Sequence, residues 1–244
     1  MPRPQRAAIR GRTAAAWGVH LFTAAGAVAA LLALIAVERR QPETALFWLF
    51  VALAIDGVDG TLARAVKVRE RIPRIDGEAL DLVVDYLTYV LVPVWFILEG
   101  GYLPGPLALP LSAAILVSAL YIFARRDMKT DDGYFRGFPA LWNVVAFYFF
   151  VLKPAPPLAA GAAAALVVMT FAPIHTVHPF RVRDYGPVPP SLAILWAATT
   201  AGLLSRDLDD WVRPVLAAIS FGSAALLAGM GLLRTLRGPR SRLG

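Results

Sequence analysis

The sequence predicts an all-α protein that crosses a membrane several times, a helical bundle of about eight transmembrane helices with both termini in the cytoplasm. Three observations carry that expectation. Hydrophobic residues make up 58% of the 244 residues and charged residues only 17%, too little polar surface for a soluble domain of this length. Several apolar runs approach the roughly 20 residues that a helix needs to cross a bilayer core of about 30 Å. These runs are continuous and lack the alternation of a membrane β-barrel, so helices are preferred.

Eight apolar segments follow in order: 14–37, 45–65, 79–98, 107–124, 139–152, 157–174, 190–204 and 212–233. The first prolongs a basic N-terminal tail for a full span without a cleavage site, so it reads as a span and not as a removed leader. The second ends and the third begins in acidic stretches, DGVDG and DLVVD. Pro- and Gly-rich runs set off the fourth (LPGPLALP), the sixth (KPAPPLAAG) and the seventh (YGPVPPS), as expected at loop ends. The fifth and seventh are short for a span. A basic tail closes the eighth. Residues 1–244 read as one membrane-embedded domain. Cysteine is absent, which excludes disulfides, thiolate zinc sites and cysteine nucleophiles.

Orientation follows from the positive charges, which collect on the cytoplasmic side of membrane proteins. With the N-terminus inside and eight crossings, the cytoplasmic segments hold Arg3, Arg6, Arg10 and Arg12; Arg64, Lys67, Arg69, Arg71 and Arg74; Arg125, Arg126, Lys129 and Arg136; Arg181 and Arg183; and Arg234, Arg237, Arg240 and Arg242. The opposite side keeps Arg39, Arg40, Lys153, Arg206 and Arg213. A miscounted span would mix the two sets. The net charge of +7 is thus accounted for by basic loops on an anionic leaflet and calls for no nucleic acid.

The acidic stretches are the anomaly. Asp56 and Asp59 lie three apart at the cytoplasmic end of the second segment, Asp81 and Asp85 four apart at the start of the third, so each pair shares one helix face. Each aspartate alone could face water or pair with Arg64, Lys67 or Arg74. If the faces meet, four carboxylates converge beside lipid and repel, unless divalent cations neutralise them. All-carboxylate oxygen donors favour hard ions such as Mg²⁺ or Mn²⁺ over zinc. Gly60, Ala63 and Gly77 put small residues on the same surface, which lets a backbone or ligand approach closely. Helix packing alone explains small residues but not the acids.

The run Asp56-x2-Asp59-Gly60-x2-Ala63-Arg64, followed by Gly77-x3-Asp81-x3-Asp85, resembles the signature of the CDP-alcohol phosphotransferases. Twelve residues, Ala65 to Asp76, separate its two halves, an interval about one helical turn longer than usual in the family. That length is similar to the bacterial phosphatidylcholine synthase branch, as are VHLFTAAG (19–26), DYLTYVLVPV (85–94), MKTDDGYFRGFPALWN (128–143) and HPFRVR (178–183). Pro73 suggests that the extra length forms a loop.

The resemblance implies phosphatidyl transfer from CDP-diacylglycerol to choline, giving phosphatidylcholine and CMP, in a bacterial cytoplasmic membrane with the active site facing the cytoplasm. It implies two Mn²⁺ or Mg²⁺ ions on Asp56, Asp59, Asp81 and Asp85, with Asp85 also the general base for the choline hydroxyl. Gly60, Ala63, Arg64 and Gly77 would line the CDP site, and the enzyme would be a homodimer. Choline has no N–H to donate, so it is held by aromatic faces and negative charge. Candidates are Tyr86, Tyr89, Tyr134 and Trp142, with Tyr121 and Phe135 behind them, although Tyr and Trp also populate membrane interfaces for their own sake. His20 and Thr23 at the inner end of the first segment read as a packed polar pair or as groups reaching the nucleotide. His175 and His178 read as a solvated or phosphate-facing loop.

Two other readings compete. A relative could use glycerol 3-phosphate, serine or an inositol phosphate, with Arg125, Arg126 and Lys129 meeting an acceptor phosphate. A cation-coupled transporter would instead place its acids near the bilayer midplane on broken helices, often within repeats. Here the acids sit at one interface and no repeat is evident.

Overall fold

The computed structural model describes residues 3–205 and 207–238, with side chains from Thr13 onward. Of the residues used for orientation, Arg206, Arg240 and Arg242 and the side chains of Arg3, Arg6, Arg10 and Arg12 lie outside the described residues. Each of the eight apolar segments is helical. Helix α1 spans Arg3–Glu38 and α2 Pro42–Ala65, followed by a short helical turn, α3, at Val68–Arg71. Helix α4 (Gly77–Asp85) continues through a π-helical turn at Tyr86–Leu91 into α5 (Val92–Glu99). Then come α6 (Gly105–Ala124), α7 (Trp142–Leu152), α8 (Pro156–Phe171), α9 (Val188–Leu203) and α10 (Val212–Arg237). Five stretches are long and apolar enough to cross a membrane: Thr13–Glu38, Pro42–Ala65, Gly77–Glu99, Gly105–Ala124 and Val212–Arg237. Helices α7, α8 and α9 are shorter apolar helices. The protein is a polytopic helical membrane protein. Large apolar side chains such as Leu21, Leu31, Leu109 and Val168 point outward, the arrangement expected of lipid-facing helices.

The chain falls into two compact units, Met1–Phe96 and Ile97–Gly244. In the first, α1 packs on α2 and α4. The contact face of α1 is small: Ala16, Ala29, Ala30, Ala33 and Ala36 are buried, and Ala45, Leu46, Leu49 and Ala52 are buried on α2. Small residues allow helix backbones to approach where no water drives association. Gly26 shows how close α1 and α4 come, since a Cβ there would lie 2.6 Å from Val84 Cγ1. The long interval between the motif halves becomes both a turn and a loop. Lys67, with φ of 52°, breaks α2; Val68 and Ile72 then bury against Ala16 and Val19 of α1. The chain passes Pro73 to Asp76, whose Oδ1 accepts hydrogen bonds from the Glu78 and Ala79 amides and so caps α4.

In the second unit, α6 packs on α8, and α9 on α10. Trp196 donates to the Tyr148 hydroxyl, which shares a hydrogen bond with Ser220, itself bonded to Thr200. This chain of hydroxyls joins α7, α9 and α10. The fifth segment begins its helix only at Trp142, because Ala140 takes a positive φ of 57°, outside the helical region. The stretches before α7 and after α8 contain a small antiparallel pair, β1 (Tyr134–Arg136) with β2 (His175–Val177), in register Tyr134 to Val177. Helix α10 locks it: a Cβ on Gly231 would run into the His175 carbonyl, and Arg234 bonds Asp132 at 2.7 Å.

Candidate active site

The acidic end of α2 and the start of α4 meet in the first unit. One carboxylate oxygen from each of Asp56, Asp81 and Asp85 lies within 4.8 Å of the others, and all three side chains are half-buried. Helix spacing explains why two of them come from α4: residues four apart stand one above the other on one face. Asp59 does not join this trio. It is buried, and its Oδ2 accepts a hydrogen bond of 2.7 Å from the Thr23 hydroxyl of α1. Asp59 follows Asp56 by three residues on α2, yet it faces α1 while Asp56 faces α4.

The trio suits a hard divalent cation in donor chemistry: three carboxylates, no sulfur and no imidazole. Asp56, Asp81 and Asp85 would hold such an ion, with Asp59 one turn away.

The residues expected around the nucleotide are placed less uniformly. Arg64 folds back along its own helix, donating from Nη2 to Thr61 and lying beside Gly60, where a Cβ would meet the guanidinium at 3.5 Å. Ala63 turns toward the apolar cluster of Ala16, Val19, Val68 and Ile72. Gly77 faces the ring of His20, which a Cβ would approach to 3.3 Å. His20 is buried, edge-on to Trp17, and among the described residues its Nε2 has no hydrogen-bond partner. His20 and Thr23 therefore serve different neighbours and do not pair with each other.

Of the aromatic candidates, Tyr86 and Tyr89 lie beside the trio in the chain. Tyr86 is half-buried; Tyr89 is 8% exposed and its hydroxyl donates to Asp56 Oδ2 at 2.5 Å. Tyr134 and Trp142 belong to the second unit and have no exposed surface. The Tyr134 hydroxyl donates to Asp184, and the Arg234 guanidinium already covers its ring at 5.6 Å. Trp142 packs edge-on to Phe138. Phe135 stacks on His178 with a centroid distance of 5.3 Å.

Both loop histidines are held toward the neutral form. Burial, then the neighbouring Arg181 and Lys129, push His178 down to about 4. His175 is lowered in the same sense, by burial and by Arg234. Burial alone would push the Asp132 carboxyl up, but hydrogen bonds from Thr130 and Arg234 outweigh it and hold the group below its ordinary value.

Sequence reasoning missed two partners here, Thr23 for Asp59 and Tyr89 for Asp56. The signal for the first was present: Thr23 stands three residues after His20 on an otherwise apolar helix. For the second, Pro93 marks a disturbed turn four residues after Tyr89 but not which residue of α2 that turn brings it to.

The chain is similar to known proteins across these helix ends. The family model described as CDP-alcohol phosphatidyltransferase matches residues 19–177, a stretch that includes all four aspartates. A phosphatidylcholine synthase of Pseudomonas aeruginosa is 42% identical over 224 residues, 92% of this chain and 93% of the relative. One from Bradyrhizobium diazoefficiens is 46% identical over 82% of this chain and 74% of its own length. One from Legionella pneumophila is 38% identical over 70% and 67%. With that likeness running through the acidic helix ends and far beyond them, the chain belongs to the CDP-alcohol phosphatidyltransferase family.

Proposed function

We propose that the enzyme transfers the phosphatidyl group of CDP-diacylglycerol to choline, forming phosphatidylcholine and releasing CMP. The observation that carries this reading is the meeting of Asp56, Asp81 and Asp85 at one end of two membrane helices, in a family member whose relatives bear the name phosphatidylcholine synthase. The lipid-borne pyrophosphate of the donor lies at the membrane interface, where those helix ends belong.

Asp56, Asp81 and Asp85 are the residues for the divalent ions, Mn²⁺ or Mg²⁺, and a second ion would need Asp59 to serve it while it keeps or gives up its bond from Thr23. Such ions, when bound, neutralise the pyrophosphate charge and the charge that develops on the CMP leaving group. The rest falls to the protein. Gly60 and Gly77 leave room for the nucleotide, Ala63 keeps the same wall small, and Arg64 turns from Thr61 to pair with a phosphate. The choline oxygen forms a bond to the phosphorus that bears the diacylglycerol, and the bond from that phosphorus to the CMP oxygen breaks. Asp85 takes the hydroxyl proton, a role that needs hydrogen-bond reach to the acceptor alcohol. Of the aromatic candidates Tyr86 best suits the quaternary ammonium, being half-buried and next to Asp85. Tyr89 is buried, with its hydroxyl on Asp56.

The test is an acceptor panel. Purified protein in detergent with CDP-diacylglycerol and Mn²⁺ is expected to release CMP with choline and far less with serine, glycerol 3-phosphate or an inositol phosphate. Preference for a phosphorylated acceptor would overturn the choline assignment while keeping the chemistry.

The proposed setting is a bacterial inner membrane, with α7, α8 and α9 crossing alongside the five longer spans, both termini and the aspartates on the cytoplasmic side, and a homodimeric enzyme of one domain. The match over residues 19–177 runs through both compact units, which supports the single domain. A cysteine in the α2–α4 loop tests the orientation in this cysteine-free chain. Arg69, with a side chain 95% exposed, suits it. Arg69→Cys is expected to stay unlabelled by an impermeant thiol reagent in intact cells and to react after lysis. Labelling from outside would reverse the topology.

A further inference from the structure

We propose that Tyr89 is a positioning residue for Asp56: its hydroxyl fixes the carboxylate in the orientation that divalent-ion binding requires. The inference rests on the metal-dependent reading above and assigns a role distinct from choline contact. Three observations lead to it. First, the Tyr89 hydroxyl donates to Asp56 Oδ2 at 2.5 Å, within the range of a charge-assisted O–H···O⁻ bond, across 33 residues of chain. Second, Tyr89 is held. It is 8% exposed, and its neighbours Thr88 and Val90 are buried on either side, so the ring has little freedom to leave Asp56. Third, the helix is locally rewound where Tyr89 sits. Tyr86–Leu91 forms a π turn, with the Val92 amide reaching back five residues to the Leu87 carbonyl. Single π turns inside helices recur at functional sites.

The cause of the turn lies in the sequence. Pro93 has no N–H and its ring crowds the carbonyl of Tyr89, four residues earlier, so an ordinary α turn is disfavoured there. The Thr88 hydroxyl donates to the Val84 carbonyl at 3.1 Å, a back-bond of the kind that bends helices. A π turn winds less per residue than an α turn. Tyr89, four residues after Asp85, is therefore swung from the position an unbroken α-helix would give it, and it meets α2 at Asp56. A donor on one oxygen of Asp56 limits the rotation of the carboxylate and so fixes how it faces Asp81 and Asp85. Partners of this kind set the orientation of metal-binding groups, and their loss commonly weakens metal affinity 10–100-fold.

The experiment uses Tyr89→Phe, which keeps the ring and deletes only the hydroxyl, in the purified full-length protein. Mn²⁺ binding is measured by titration with electron paramagnetic resonance of the free ion. Mn²⁺ affinity is expected to fall about tenfold, at the lower end of that range. At saturating Mn²⁺, KM for choline should stay within about twofold, because no choline contact is lost. A double-mutant cycle with Asp56→Asn separates positioning from a general packing defect: once Asp56 is changed, Tyr89→Phe should cost little further affinity, the non-additivity expected of two groups acting as one. An unchanged Mn²⁺ affinity, or an equal loss in both backgrounds, overturns the inference while leaving the metal reading intact. A rise in choline KM with Mn²⁺ affinity unchanged returns Tyr89 to the choline site. If the unsubstituted protein itself binds no Mn²⁺, the metal reading falls first and this inference with it.

Discussion

Asp85→Asn is expected to lower kcat by about 10²–10⁴-fold, the scale of a lost general base. The structure sharpens this expectation, because Asp85 stands inside the trio with Asp56 and Asp81. Under the proposed mechanism it would both take a proton and bind an ion, and only comparison among the aspartates divides the two roles. Asparagine keeps one neutral oxygen and loses the basic one. If Asp85 is chiefly the base, its Asn variant should retain Mn²⁺ better than Asp56→Asn, which should lose metal and CDP-diacylglycerol together. Mn²⁺ titrations and single-turnover rates for the Asn variants at 56, 59, 81 and 85 make the comparison. Equal metal loss at 85 and 56 would make Asp85 a ligand first and remove it as the base. Near-normal turnover of Asp85→Asn would assign the proton to another acceptor. Asp59→Asn should behave differently from all three. Asp59 is buried against Thr23, so its variant should disturb α1–α2 packing and lower thermal stability as well as activity.

Removal of divalent ions is expected to abolish turnover, and Mn²⁺ or Mg²⁺ to restore it. The physical ground is repulsion. Carboxylates with oxygens within 4.8 Å repel by roughly 3–4 kcal/mol per pair at an effective dielectric constant of about 20. A cation reverses the sign of that contribution. The same energy gives a readout that needs no substrate: an ion that binds the folded state alone, at about 100 times its Kd, should stabilise the protein by about 2.7 kcal/mol. EDTA should lower the unfolding temperature and Mn²⁺ raise it, with the response reduced in Asp56→Asn and Asp81→Asn. Full activity in metal-free protein would end the metal mechanism, and a thermal response unchanged in those variants would move the ion elsewhere.

Much of the fold was legible because membrane helices announce themselves locally. Each of the eight apolar segments became a helix, since twenty or so apolar residues in lipid have no other way to satisfy their backbone. Helix ends were less legible. The first helix begins as early as Arg3, because the polar tail before Thr13 continues the same backbone hydrogen bonding, and the eighth runs on to Arg237. The small β pair was invisible: three-residue strands with no alternating pattern are set by α10 pressing Gly231 and Arg234 against them. Tyr134 illustrates the consequence. An aromatic in a basic loop reads as exposed, yet it is wholly buried, with Arg234 on its face and Asp184 on its hydroxyl.

By itself the sequence determined the membrane class, the order of the eight apolar helices and the pairing of aspartates three and four apart, together with the family that spacing resembles. All of these depend on neighbours within a turn or two of one helix. Tertiary structure alone decided which carboxylates meet. Asp56, Asp81 and Asp85 converge while Asp59 turns away to Thr23, and Tyr89 reaches Asp56 through a π turn. Which face of α2 looks at α1 and which at α4 follows from how closely small residues such as Gly26 let the helices pack. That crossing joins groups 33 and 36 residues apart, a distance over which no local pattern carries information.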